Sequence, residues 1–178
     1  DLVRGPYLQA GADDQMTVRW RTDNPGDSIV RYGDAPDHLS ETATLSEFTT
    51  EHVVQITGLS PATRYFYQIE SGNGLETMTS GAGSDYYFQT YPAPGVDAPT
   101  RVWVIGDSGT TTQPKFDVYN AYLERTGQAH TDVWLMLGDN AYGTGLDTEF
   151  QAAVFDSCPE LLRNTVLWST IGNHESYG

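Results

Sequence analysis

The chain has 178 residues, with 24 Asp or Glu against 9 Lys or Arg, a formal charge of −15. That length fits one large domain or two small ones, at roughly 100 to 200 residues per domain. The acidity, with Lys115 the only lysine and no basic cluster, argues against nucleic acid or an anionic membrane as partner, because like charges repel. The longest uninterrupted apolar run, residues 133–137, is far shorter than the ~20 residues a spanning helix needs, so no membrane span is expected. A start at Asp1-Leu2-Val3-Arg4, without Met or an apolar leader, reads as a processed product, and the expected location is secreted, periplasmic or cell surface. The single cysteine, Cys158, excludes an internal disulfide and a cysteine zinc site, and its expected role is packing.

In chain order, residues 7–90 read as short alternating segments with turn punctuation, the pattern of an all-β domain. Met16, Val18 and Trp20 share one face of a strand over 16–21, and a turn cluster at 23–27 precedes a second strand over 28–33. Further strands are expected over 52–56, 65–69 and 86–90, with the glycine-bearing stretch 72–84 as a long hairpin loop. The corner Leu59-Ser60-Pro61-Ala62-Thr63-Arg64-Tyr65 should plug the core with Leu59, fix the turn with Pro61 and let the Tyr65 hydroxyl reach back to the backbone. This corner resembles that of a fibronectin type III-like sandwich; an unrelated small β-sandwich is the alternative, and either would act as a platform. Residues 92–99 hold three prolines and read as a linker.

After Thr100 the grammar becomes apolar β-branched runs alternating with helical stretches, as in a buried sheet covered by helices. Strands are expected over 101–105, 132–137 and 165–171. A helix is expected over 114–128 with Phe116, Val118, Tyr119, Tyr122 and Leu123 as its apolar stripe, and a second helical pattern over 146–162 is broken at Pro159. The three strands lead into Gly106-Asp107-Ser108-Gly109, Gly138-Asp139-Asn140-Ala141-Tyr142 and Gly172-Asn173-His174-Glu175. Ligands collect at the carboxyl ends of strands in open α/β sheets, so the three loops should converge. Asp and Asn are hard oxygen donors and His an imidazole donor, and a preceding glycine lets backbone approach closely, which together is the grammar of a metal site. Any one of these residues alone would be a helix cap, a turn or packing; three such loops in order are not required by capping. Gly106-Asp107-Ser108-Gly109 lacks the third glycine of a dinucleotide loop. His38, His52 and His130 lie outside these motifs and are expected at the surface.

The three motifs, with Tyr142 three residues after Asp139 and a sandwich ahead of them, resemble the metallophosphoesterases and, among these, the purple acid phosphatases. The resemblance implies a mixed fold: a fibronectin type III-like sandwich over 1–91, a Pro-rich linker over 92–99, and over 100–178 the first, incomplete part of an α/β metallophosphoesterase domain. It implies a dinuclear metal centre, ferric iron with a divalent iron, zinc or manganese, that hydrolyses phosphate monoesters. Asp107 and Tyr142 would bind the first metal, the Tyr142 phenolate giving the charge-transfer colour; Asp139 would bridge both metals and Asn173 would bind the second. His174 would stabilise the phosphate or protonate the leaving group. The family adds three histidine ligands from two later motifs, so this chain alone is expected to be inactive, with a second chain or a C-terminal half completing the site. The alternative is a non-catalytic extracellular structural or binding subunit that assembles through its sandwich and an open sheet edge.

Overall fold

The first half of the computed structural model, which describes residues 1–127 and 129–177, consists of antiparallel strands β1 (Leu2–Gln9), β2 (Gln15–Gly33), β3 (Glu41–Thr57), β4 (Arg64–Gly72), β5 (Thr77–Gly81) and β6 (Tyr87–Gln89). β2 runs unbroken through the cluster at 23–27, where a turn is expected from composition. Its pairing with β3 shifts register between Arg21 and Gly26 and again between Gly26 and Ser28, so the polar cluster makes a bulged corner. The part before the corner pairs with β1 and the part after it with β4. Met16, Val18 and Trp20 from before the corner and Val30 from after it then join Val54, Ile56, Tyr67, Ile69 and Phe88 in one core.

Two other expectations change in this half. The stretch 72–84 is not one long loop: Thr77–Gly81 pairs with β4 from Gln68↔Gly81 to Gly72↔Thr77, leaving a turn at 73–76, where the Asn73 side-chain oxygen accepts from the Leu75 and Glu76 N–H groups, and the start of a second turn after Gly81. His52 is buried, not at the surface. Its burial is made affordable by two hydroxyls, Thr22 and Ser28, each 2.8 Å from one ring nitrogen, and by the stacked Trp20 ring at 4.7 Å. Burial lowers its pKa. The Tyr65 corner forms as expected, its hydroxyl accepting the Ser60 N–H at 2.9 Å.

The second half contains β7 (Val102–Ile105), α1 (Gln113–Thr126), β8 (Val133–Met136), α2 (Asp147–Phe150), a π-helical turn at Gln151–Phe155, α3 (Pro159–Leu162), β9 (Val166–Ser169) and a 3-10 turn at Glu175–Tyr177. β7, β8 and β9 are parallel neighbours. The stripe of α1 is narrower than expected. Tyr119 is buried and Tyr122 stacks on Trp103 at 4.4 Å, while Val118 and Leu123 face solvent. Cys158 packs in this core, and burial pushes its thiol up to about 11, so it is inert near neutrality. The opposite face of the three strands aligns Val104, Leu135 and Trp168 across the sheet, and Val102, Val104 and Trp168 are exposed.

The two halves share one sheet, in the order β5-β4-β2-β1-β9-β8-β7. β1 joins them, pairing antiparallel with β2 on one side and parallel with β9 at Leu8↔Val166 on the other. Strand alternation sends Leu8 into the sandwich core and Tyr7 into the core under β8 and β9. Polar contacts support the junction: the buried Tyr67 hydroxyl donates to the Arg163 carbonyl at 2.7 Å, and the Tyr87 N–H donates to the Asn164 side chain. The buried Arg4 guanidinium lies 4.0 Å over the Phe155 ring and donates to Gln151 and to Asp147, whose carboxylate also receives Arg21.

The hydrogen bonds from Arg21 and then Arg4 lower the Asp147 carboxyl to about 2 from the 3.8 of a free aspartate. Its contribution to stability is therefore complete above the unfolded value near pH 4 and is lost as pH falls through about 2. Replacing Asp147 by Asn should cost about 1 kcal/mol at neutral pH, after discount for the exposed side of the pair. In denaturant titrations the difference between Asp147→Asn and wild type should shrink between pH 4 and pH 2; a difference unchanged across that interval contradicts the linkage.

Candidate functional site

Because β7, β8 and β9 are parallel and in register, their C-terminal ends open on one side, and the three loops meet there. Backbone bonds join the first two loops: the Asp107 N–H donates to Gly138 at 3.0 Å, Gly109 to Asp139 at 2.8 Å and Tyr142 to Gly109 at 2.9 Å. The second and third loops are joined by the His174 N–H, which donates to Asp139 Oδ1 at 3.0 Å, and by the Asn140 side chain, which donates to the Thr170 carbonyl at 2.8 Å.

Contact at this range leaves no room for side chains at Gly109, Gly138 and Gly172, where an added β-carbon would lie 2.8 Å or less from a neighbouring atom. A β-carbon on Gly109 would lie 2.5 Å from the Ala141 nitrogen, and one on Gly172 would lie 2.2 Å from Asp139 Oδ1. Gly106 is different, its nearest neighbour being 3.4 Å from such a carbon, so close backbone approach is not the reason for glycine before Asp107. Asp107 and Asp139 both have φ of 52°, in the left-handed region. A non-glycine residue there costs about 1–2 kcal/mol, least for Asp and Asn, and such strain clusters at functional sites.

Of the residues singled out in the sequence, His174 is in contact with both Asp139 and Tyr142. The Tyr142 and His174 rings meet edge to face with centroids 4.6 Å apart, and His174 Nε2 is 4.0 Å from Asp139 Oδ2. His174 Nδ1 lies 2.6 Å from the Gly143 carbonyl, and since a carbonyl only accepts, Nδ1 carries the proton and Nε2 is the free nitrogen. Asp107 is exposed at the rim, tied in through its backbone. Asn173 is exposed at the third turn, its carbonyl accepting from the Ser176 N–H and hydroxyl. Burial, then the carboxylates of Asp107, Asp139 and Glu175, raises the Tyr142 phenol, so these negative groups act on one point.

These donors are hard oxygens, and a cation among them would turn the repulsion felt by Tyr142 into ligation, which suits ferric iron or another hard ion. The set is partial: among the described residues no three His, Cys, Asp or Glu side chains are grouped closely enough to hold a metal. Beside Tyr142 lies an open cavity of about 300 Å³ whose lining includes Gly109, Thr110, Thr111 and Glu149. Two residues escaped the sequence reading of the site, Asn140 and Glu175. Both sit inside the quoted motifs, and the cue was their polarity in segments that have to be packed between strand ends.

Residues 4–90 match the family described as the purple acid phosphatase N-terminal domain. The third fibronectin III domain of human KIAA0343 protein is similar at 14% identity over 53% of this chain and 85% of that one, with a TM-score of 0.39. The FN5 domain of Drosophila Lar is similar at 19% identity over 51% of this chain and 100% of that one, with a TM-score of 0.37. No curated protein matches the chain.

Replacing Gly172 by Ala should force the third loop off Asp139 and destabilise the chain by about 1–3 kcal/mol, as overpacking does. Gly106→Ala, with ordinary van der Waals room, should cost less. Thermal melts of the two variants check the ranking, and equal losses would contradict it.

Proposed function

We propose that this chain carries the first part of the dinuclear metal site of a phosphate monoester hydrolase of the purple acid phosphatase type. The observation that carries the reading is the convergence of Asp139, Tyr142 and His174 at the ends of three parallel strands, with no Lys or Arg in any of the three loops. The N-terminal domain match supports it from the other half of the chain.

In this reading Asp107 and Tyr142 would hold ferric iron, Asp139 would be shared with a divalent iron, zinc or manganese, and Asn173 would hold that second ion. When bound, the pair supplies Lewis acidity toward the ester and acidifies water for in-line attack on phosphorus. His174 presents Nε2 toward Asp139 because Nδ1 is engaged by Gly143, and in its protonated form Nε2 can donate to the leaving oxygen. The Tyr142 ring packs edge-on against His174 and limits its rotation. The remaining ligands come from a C-terminal half or a second chain, and a location outside the cytoplasm goes with this reading.

Titration of the chain with Fe(III), supplied as its citrate complex, should produce a visible phenolate-to-iron absorption that Tyr142→Phe abolishes. No band in wild type, or an equal band in the variant, overturns the assignment. The chain alone should not turn over an aryl phosphate. In the protein completed by the histidine-bearing half, Asp139→Asn should lower turnover by about 100-fold or more, because both ions share that carboxylate. Wild-type turnover in that variant contradicts the bridging role.

A further inference from the structure

The Glu175 carboxylate occupies a concavity of backbone N–H groups made by the second and third loops. One oxygen accepts from Asn140 at 2.6 Å and Ala141 at 3.0 Å; the other accepts from Asp139 at 3.0 Å and Gly172 at 2.6 Å. Successive backbone N–H groups at a left-handed residue form an anion-binding nest, and Asp139, with φ of 52°, opens this one. Such a nest next to a phosphate site could receive substrate; here the chain's own side chain fills it. All four bonds are charge-assisted, the stronger class of hydrogen bond.

We propose that Glu175 is a positioning residue for the metal-binding face of the site, fixing Asp139 in its left-handed conformation and holding the third loop, with Asn173 and His174, against it. The inference rests on the proposed metal-site reading. Without the carboxylate, Asp139 would relax out of the left-handed region, because among the described residues no other side chain engages the consecutive N–H groups of Asp139, Asn140 and Ala141. The Asp139 side chain would turn with its backbone, and the bond from the His174 N–H to its Oδ1 would be lost with it. Gln is the informative replacement. Its oxygen can satisfy two of the four N–H groups, but its NH₂ faces the other two as a donor against donors.

Two readouts on the 178-residue chain test this: amide hydrogen exchange residue by residue, and Fe(III) titration read by Tyr142-dependent absorption. In Glu175→Gln, exchange protection at Asn140, Ala141 and Gly172 should fall about tenfold or more, while the β2 and β4 amides keep theirs. Ferric affinity should fall by about 10- to 100-fold, as for the loss of other groups that orient metal ligands. Glu175→Asp, too short to reach all four donors, should show the same pattern and serves if the Gln variant does not fold. Unchanged protection in the variants overturns the proposal, and so does lost protection with unchanged ferric affinity, which would make Glu175 a structural tie only. A wild-type chain that takes up no iron overturns the metal-site reading and the positioning role together, whereas equal uptake by wild type and variant overturns the role of Glu175 alone.

Discussion

The pairing of β1 on both of its edges is the constraint from which the rest of the architecture follows. A sandwich strand that hydrogen-bonds only to β2 would leave its outer N–H and C=O groups to water or to another chain. Here β9 lies along that edge at Leu8 and Val166, and two adjacent side chains, Tyr7 and Leu8, serve different cores. The position of β9 then sets β8 and β7 in order, and with them the side on which their loops emerge. The contacts of Arg4, Tyr67 and Asn164 across the junction are secondary, since each depends on β1 and β9 already being neighbours.

The loop cluster is held mainly by main-chain atoms. Gly109 and Gly172 permit contacts that a single methyl group would prevent, and backbone bonds run from the first loop to the second. An arrangement of this kind places acidic side chains near one another without an intervening basic residue from the same loops. Asp107 and Asp139 both hold a left-handed backbone conformation in this cluster, a strain offset by hydrogen bonds and packing elsewhere. Strain of this type is expected where a site is arranged for a ligand it does not itself contain.

Much of the fold was legible because the relevant signals are local. Alternation in Met16, Val18 and Trp20, the turn chemistry of Leu59 to Tyr65, and apolar β-branched runs before each Gly-Asp or Gly-Asn step all report on near neighbours. What escaped were features decided at a distance. β2 continues through a polar cluster because partners on both sides pair with its two parts. The early part of β3 is rich in threonine and offers only Ala43 and Leu45 to the core, too short an alternation to mark a strand of its own. His52 is buried because two hydroxyls thirty and twenty-four residues away meet its nitrogens. Of the site, the identity of Asp107, Asp139, Tyr142, Asn173 and His174 came from their motifs, but Glu175 could gain meaning only once the strands had brought its four N–H partners together.

The position of β1 also bears on the order in which the chain can fold. The strand is made well before β9 during synthesis, its pairing partner Val166 lying almost 160 residues after Leu8. Until β9 is synthesised, a newly folded sandwich presents an unpaired edge, with Tyr7 lacking the core that receives it. Closing so long a loop carries a large entropic cost before any contact repays it, and nonlocal pairing slows folding. The sandwich is thus an early-forming unit whose last edge is sealed late, and in that interval the outer side of β1 is where premature association with another chain would begin.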